Sequence, residues 1–170
     1  MRLNVFIFSL LSIFTIAFVR CNKETSQSTL SVRLTDAPGD WGAVNIDLRE
    51  VQIKLGKGPD KWVTLQTNQQ IYDLLSLQNG IASVIAQGTF PRNAEIKEIR
   101  LILGPNNSVT VNGQTYPLII PNGEEVRLKI KVDKHLASSL EDLLIDFDAK
   151  LSIKLEFDGY KLRAEIKLKK

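Results

Sequence analysis

The sequence contains very few residues of the types that bind transition metals or carry out covalent catalysis. It has one cysteine, Cys21, and one histidine, His135, among 170 residues. One cysteine excludes a disulfide within the chain, and a zinc site normally needs several Cys or His ligands. His135 follows Lys134 in a segment that we expect to be a short helix. We interpret it as a solvated surface histidine, because a general base needs a nucleophile or carboxylate nearby.

A strong net charge of one sign is also absent. The chain has 22 basic and 19 acidic residues. Arg2 and Arg20 precede Cys21, so loss of residues 1–20 would leave 22 − 2 = 20 basic against 19 acidic residues. Binding to nucleic acid normally requires a strongly basic face. The near balance therefore argues against a nucleic-acid partner.

Only one long apolar run is present, at residues 5–19, and it ends at Arg20-Cys21. At about 15 residues it matches the core of a signal peptide and is shorter than the roughly 20 residues that cross a bilayer. A free thiol is seldom kept exposed on an exported protein, whereas acyl chains on a cysteine anchor it stably. We therefore predict lipid attachment at Cys21.

These signals predict how the chain is organised. Residues 1–20 are expected to be a lipoprotein-type signal peptide, and residues 21–29 a lipidated cysteine with a polar tether. Residues 30–170 would form a single β-sandwich domain. The protein would be extracytoplasmic and lipid-anchored to the cell envelope, at the periplasmic or surface face of an outer membrane. If Arg20 prevented cleavage, the leader would remain as an uncleaved anchor.

From Leu30 onward, apolar and polar residues alternate, which is typical of half-buried strands. About nine to eleven such strands predict an all-β, antiparallel two-sheet sandwich, immunoglobulin-like or transthyretin-like, with one or two short helices. The helices are predicted at 82–87 and, after Asp133, at 136–140. The absence of βαβ alternation argues against a parallel sheet.

Turn residues and changes of alternation predict local features. Asn112-Gly113 and Asp158-Gly159 are preferred two-residue hairpin turns, and the second would place Phe157 opposite Tyr160 in a long C-terminal hairpin. Asn122-Gly123 predicts a third turn. The apolar positions change from even to odd near Arg49-Glu50, which indicates a β-bulge. Residues 118–120, between two prolines, predict a short edge strand.

Carboxylates and tryptophans are the remaining candidate site residues. Asp36 and Asp40 flank one loop, and Asp146 and Asp148 are two apart in a predicted strand, so they would share a face. Such oxygens could bind calcium, whereas turn chemistry and pairing with lysines explain them equally simply. Trp41 and Trp62 could stack on a glycan, or serve as a loop anchor and a core residue.

No catalytic residue is predicted. Paired carboxylates could in principle hydrolyse glycosides, but no pattern here indicates a cleft. The segment 56–59 is a turn and not a phosphate loop, because Pro59 lacks an amide donor. We therefore expect no cofactor, with calcium as the one alternative.

Several dispersed segments share the sequence motifs of a known family: LSVRLTDAPGD at 30–40, VNIDLREV at 44–51, YDLL at 72–75, IRLILG at 99–104, YPL at 116–118 and LIDFDA at 144–149. Together, and in this order over roughly residues 29–169, they resemble the domain of unknown function DUF4382. The resemblance implies an extracytoplasmic, often lipid-anchored β-protein of bacteria or archaea, and it implies no activity. The expected function is therefore a non-catalytic binding or structural domain with a protein or glycan partner. The alternative is a carbohydrate-binding or carbohydrate-active envelope protein.

Overall fold

A computed structural model of the chain describes residues 26–37, 39–56, 61–121 and 126–169. Strands dominate these residues, and the helical parts are a 3-10 turn at Leu74–Leu77 and one α-helical turn, α1, at Ala149–Ser152. The strands in chain order are β1 (Gln27–Asp36), β2 (Ala43–Leu55), β3 (Trp62–Thr64), β4 (Gln66–Thr67), β5 (Gln70–Asp73), β6 (Ser83–Pro91), β7 (Glu95–Leu103), β8 (Ser108–Val111), β9 (Gln114–Ile119), β10 (Val126–His135), β11 (Leu140–Phe147), β12 (Ile153–Glu156), β13 (Gly159–Leu162) and β14 (Ile166–Lys169).

The strands form two sheets, which confirms the predicted all-β, two-sheet architecture. One sheet has the order β14-β11-β1-β6-β4, and the other has the order β10-β7-β2-β8-β9-β13-β12, with β3 and β5 also paired to β2. The pairing is mixed rather than wholly antiparallel, because β1 is parallel to β11 and β9 is parallel to β13. A parallel pair needs a long crossover connection. Here strands of the intervening chain, rather than a helix, supply that connection.

The hydrophobic core lies between the two sheets. Alternation along β1 and β11 places their apolar residues on the inner face, as the sequence pattern predicts, and β2 and β7 supply the opposite layer. Burial of each such side chain contributes about 1.5–3 kcal/mol relative to leaving it in water. The buried residues of these four strands include Leu30, Val32, Leu34, Val51, Ile53, Ile99, Leu101, Leu143, Ile145 and Phe147.

Both predicted helices were wrong. Residues 82–87 lie mostly in β6, because pairing with β1 overrides their weak helical spacing. Strand β10 continues to His135, and Asp133 adopts a positive φ of 47° at a break in its register with β7. Residues 136–139 form a connection to β11, in which Leu136 is fully buried.

The predicted long C-terminal hairpin was also wrong in its register. The chain leaves β11 after Phe147, passes through α1 and enters the other sheet as β12. Leu155, and not Phe157, lies opposite Tyr160. Strand β14 pairs with β11. Apolar residues occupy odd-numbered positions both before and after α1, because the helical turn contains four residues, an even number.

Two local predictions are confirmed. The register of β2 against β7 shifts between Leu48 and Glu50, which is the predicted bulge. Asn112 and Gly113 both have positive φ, as a type I′ turn between β8 and β9 requires.

The predicted short edge strand was wrong. Residues 118–120 do not form a separate edge strand, because β9 pairs with β8 on one side and β13 on the other. The predicted turn at Asn122-Gly123 lies outside the described residues.

Candidate functional site

Asp36 ends β1 and is buried, with 3% of its surface exposed. Its Oδ1 accepts a hydrogen bond of 2.9 Å from the Ala149 amide, and its Oδ2 accepts one of 3.0 Å from Gln78 Nε2. Burial raises the pKa of the Asp36 carboxyl, while these hydrogen bonds act in the opposite direction. Both oxygens therefore join β1 to α1 and to the segment after the 3-10 turn.

Asp146 and Asp148 do not share a strand face, because β11 ends at Phe147 and only Asp146 belongs to it. The prediction of a shared face was therefore wrong. Asp146 lies beside Thr35 in the parallel pair, whereas Asp36 lies beside Phe147, which places Asp36 and Asp146 on opposite faces of the sheet. Asp146 Oδ2 is 3.5 Å from Lys167 Nζ. Its Oδ1 is buried and has no hydrogen-bond partner among the described residues.

Asp148 and Asp40 have other roles. Strand β11 ends at Phe147, so Asp148 lies beyond it and caps α1 by accepting from the Leu151 amide at 2.9 Å. Asp40 is 94% exposed, with Oδ2 3.5 Å from Lys150 Nζ. Within the ranges that the structure describes, no three His, Cys, Asp or Glu residues are grouped to hold a metal ion. The expectation of no cofactor, and its alternative of calcium binding by these carboxylates, both stay predictions.

The two tryptophans occupy different surroundings. Trp41 packs edge-on against Tyr160, with ring centroids 6.3 Å apart, and Tyr160 contacts Tyr116 at 5.1 Å. The guanidinium of Arg100 lies 4.0 Å from the ring centroid of Trp62. One face of Trp62 is therefore covered by a cation, and Trp41 belongs to a partly buried cluster of three rings. Glycan stacking on either tryptophan stays a prediction.

His135 ends β10 rather than a helix. Its side chain is 66% exposed, and Nε2 is 3.6 Å from Glu95 Oε1. No cysteine lies in the described ranges, since Cys21 precedes them.

A basic groove of about 670 Å³ runs between the edge strands β10 and β14. Sequence analysis missed it, because β10 and β14 are more than 30 residues apart and belong to different sheets. Its floor is apolar, with Ile130 and Leu168 among the lining residues, and Asp142 is the only acidic residue among the described residues that line it. The lysines that line it are Lys129, Lys131, Lys134, Lys167 and Lys169.

A buried polar cluster joins two of the segments that resemble DUF4382. Asp47 is buried, and its Oδ2 lies 2.8 Å from the guanidinium of Arg49. The backbone of Asp47 accepts from the Gly104 amide at 2.7 Å and donates to Asn107 Oδ1 at 2.8 Å. A Cβ atom on Gly104 would lie 2.8 Å from Asp47 Cγ. These contacts join the two segments at Asp47 and Gly104.

The β12–β13 hairpin carries exposed apolar residues in a segment whose alternation predicts a half-buried strand. Leu155 is 69% exposed, and Phe157 at the turn is fully exposed. Their odd-numbered positions continue the buried set of β11, so alternation alone gave no signal that they project beyond the core. The clue available in the sequence was Asp148-Ala149, where an N-cap residue precedes a possible helical turn.

Comparisons with known proteins identify a family and nothing more specific. The model of a family described as a domain of unknown function (DUF4382) matches residues 27–164. No curated protein and no solved structure matches the chain. The immunoglobulin-like or transthyretin-like topology therefore stays a prediction. In the described part of the chain, no helix is both long and apolar enough to span a membrane.

Proposed function

We propose that this chain, which belongs to the family of the domain of unknown function DUF4382, is a membrane-anchored extracytoplasmic lipoprotein. Its domain would be a non-catalytic binding or structural module. The observation that carries this proposal is the order of segments: an apolar leader, a single cysteine at its end, a short polar stretch and then β1 from Gln27.

The position of β1 is compatible with tethering. Near its start, Ser26 accepts a backbone hydrogen bond from Arg92, and Thr29 donates one to Ser139. Strand β1 then runs for ten residues, or about 30 Å, to Asp36 beside α1. A lipid at Cys21 would thus hold one end of the sandwich near the membrane and direct the α1 end away from it.

The test is a Cys21→Ala variant of the full-length protein, expressed in a bacterium that processes lipoproteins. We expect wild type in the membrane fraction, labelled by radioactive palmitate, and the variant unlabelled and released from the membrane. Ser26→Ala, five residues further on, is the matched control and should behave as wild type. Membrane retention of Cys21→Ala at the mass of the uncleaved chain would instead show a leader acting as an anchor.

A second candidate function is binding of an anionic envelope carbohydrate, and the basic groove favours it. Three of its lysines lie near acids: Lys131 at 3.4 Å from Asp133, Lys134 at 2.8 Å from Glu141, and Lys167 at 3.5 Å from Asp146. Lys129 and Lys169 have no acidic partner among the described residues and remain available to a ligand.

A glycan array that includes acidic and neutral polysaccharides would test this candidate. We expect retention of acidic glycans by wild type, weaker at high salt because exposed charges are screened. The double variant Lys129→Glu/Lys169→Glu should lose that binding, whereas Lys61→Glu, which alters an exposed lysine outside the groove, should keep it. Equal binding by the three proteins would remove the groove from consideration.

A further inference from the structure

Strand β12 is an open edge of the larger sheet. It comprises Ile153–Glu156, and among the described residues its only strand partner is β13. An open edge presents unpaired amide and carbonyl groups and is a template for pairing with another strand. Sheet edges are commonly protected by charge, proline or a bulge. β12 has neither a proline nor a bulge, and its two charged residues, Lys154 and Glu156, have opposite signs.

The same hairpin exposes an unusual amount of apolar surface. Leu155 is 69% exposed, Leu151 in the preceding turn is 52% exposed, and Phe157 is fully exposed. Leu155 lies on the face of the hairpin that carries Ile153, whose side chain is buried in the core, and Phe157 follows in the turn. Grouped apolar side chains beside an open edge mark a contact surface rather than an ordinary solvated one.

The backbone groups of Leu155 face the open edge. The hairpin turn closes on the pair Glu156 and Gly159, and Lys154 pairs with Lys161 two residues further along. In an antiparallel ladder, residues alternate between those that face the partner strand and those that face away. Glu156 and Lys154 face β13, so the amide and carbonyl of Leu155 between them are available to another strand.

Within one chain, the charged side chains of β12 are not all paired with an opposite charge. Lys154 lies opposite Lys161, a like charge, and Lys161 is paired with Asp158 at 2.7 Å. Lys154 itself has no acidic partner among the described residues. Glu156, two positions along the same face, reaches Arg163 at 2.8 Å and remains about one-third exposed.

We infer that β12 pairs with β12 of a second copy of this chain, antiparallel, about a two-fold axis at Leu155. This register places Leu155 opposite Leu155 and uses its free backbone groups. Lys154 of each copy then faces Glu156 of the other, which supplies the missing opposite charge. Ile153 of each copy lies opposite Phe157 of the other, so the exposed ring covers the rim of the core. A two-fold axis makes this contact self-complementary.

The inference is independent of the proposed anchoring and of the basic groove. Its occupant is a second copy because the complementary charges and the matching apolar positions lie on one four-residue strand and its turn. A one-residue slip would break the pairing, since Lys154 would then face an apolar Leu155 and the backbone groups would no longer match.

Charge exchange on the full-length protein in non-ionic detergent tests the register. We expect wild type to sediment as a dimer at micromolar concentrations, and Lys154→Glu or Glu156→Lys to raise the dimer Kd roughly tenfold or more, because both symmetric pairs become like-charged. The double variant Lys154→Glu/Glu156→Lys should restore the dimer. An equimolar mixture of the two single variants should also form dimers, because a strand with two acidic side chains then faces a strand with two basic ones.

Lys61→Glu is the matched control, since it reverses an exposed lysine far from β12 in the sequence and should sediment as wild type. Thermal melting of each variant confirms that it is folded, and restoration in the mixture shows directly that both single variants retain a competent strand. A monomeric wild type, including one that pairs only with a strand of another protein, would overturn the inference. So would a dimer whose Kd is unchanged by the single reversals, or a mixture that stays monomeric.

Discussion

At the scale of single residues, the fold depends on a few buried polar contacts between segments distant in sequence. Gly104 approaches Asp47 so closely that a Cβ atom would meet both that side chain and the side chain of Arg49. Asp36 likewise accepts from Ala149, 113 residues away. We expect substitutions at such positions to destabilise the fold, because the space there is filled and the polar atoms already have partners.

Gly104→Ala tests the close approach. The added methyl group would collide with Asp47, and we expect it to lower the free energy of unfolding by about 1–3 kcal/mol, the usual cost of overpacking. Gly39→Ala is the control, because a Cβ atom there meets ordinary contacts of 3.5 Å or more. Urea unfolding of the two variants measures the difference, and equal midpoints would contradict the predicted collision.

Glu141 predicts part of the acid sensitivity. The Lys134 ammonium at 2.8 Å, together with the Ser138 and Ala137 amides, lowers the pKa of Glu141 from its usual 4.5. A carboxyl whose folded pKa is depressed contributes stability above its unfolded value and loses it as the pH falls through the folded value. Glu141→Gln should therefore be less stable at neutral pH and should lose less stability below about pH 4.5.

The measurement is the melting temperature between about pH 3 and 7, with Glu165→Gln, an exposed carboxyl, as the control. An acid profile of Glu141→Gln that runs parallel to wild type would refute the assigned role.

The Asp36 carboxyl affects stability in the opposite direction. Burial raises its pKa above 3.8, so its contribution to stability falls as the pH rises through the interval between 3.8 and that raised value.

At the scale of elements, α1 decides which sheet the C-terminal strands join. Its four residues turn the chain from β11 in one sheet to β12 in the other. Asp148 begins the turn by accepting from the Leu151 amide, and Ser152 continues it by donating to the Asp148 carbonyl at 2.9 Å. Because α1 is a single turn, the Asp148 cap is expected to supply a large part of its stability.

Asp148→Ala should lower the free energy of unfolding by about 1 kcal/mol, because an N-cap side chain satisfies an otherwise unpaired helical amide. Asp148→Asn should retain most of the stability, since asparagine caps equally well. Chemical denaturation of both variants at neutral pH checks the assignment. If the asparagine variant were as unstable as the alanine variant, charge rather than capping would be responsible.

The sequence predicted those features that depend on neighbouring residues. Alternation in β1 and β2, the Asn112-Gly113 turn and the bulge near Glu50 are local, and they are confirmed. The connection at α1 was missed because residues 143–157 keep one parity throughout, and one helical turn does not alter it. The weak helical spacing at 82–87 was overridden by pairing with β1, which local pattern cannot reveal.

The candidate site was less predictable than the fold. Asp36, Asp146 and Asp148 have separate roles. Asp36 joins β1 to α1, the buried Asp146 lies on the opposite face of the sheet near Lys167, and Asp148 caps a helical turn. The basic groove and the β12 edge arise only when strands that are not neighbours in the sequence come together. Spacing along the sequence carries no information about such meetings.

At the scale of the whole molecule, the smaller sheet joins the beginning of the chain to its end. Strand β1 lies between β6 and β11, and its pairing with β11 spans eight residue pairs. A chain ending at residue 139 would leave that side of β1 without a partner and would expose the core beneath. We expect such a truncation to lack cooperative unfolding and near-ultraviolet dichroism, whereas full-length protein shows both. A truncation that melted like wild type would contradict this.

The parallel contact between β1 and β11 also sets the order of folding. Strand β1 leaves the ribosome or a translocation pore before β11 does. More than 100 residues separate β1 from this pairing partner in the sequence. Contacts of such sequence separation form slowly, because a large loop must close before they become favourable. In a protein exported as proposed, this delay would keep the chain loose enough to thread through a narrow pore. Pairing of β11 with β1, once both have crossed, would then fold the domain and prevent the chain from moving back through the pore.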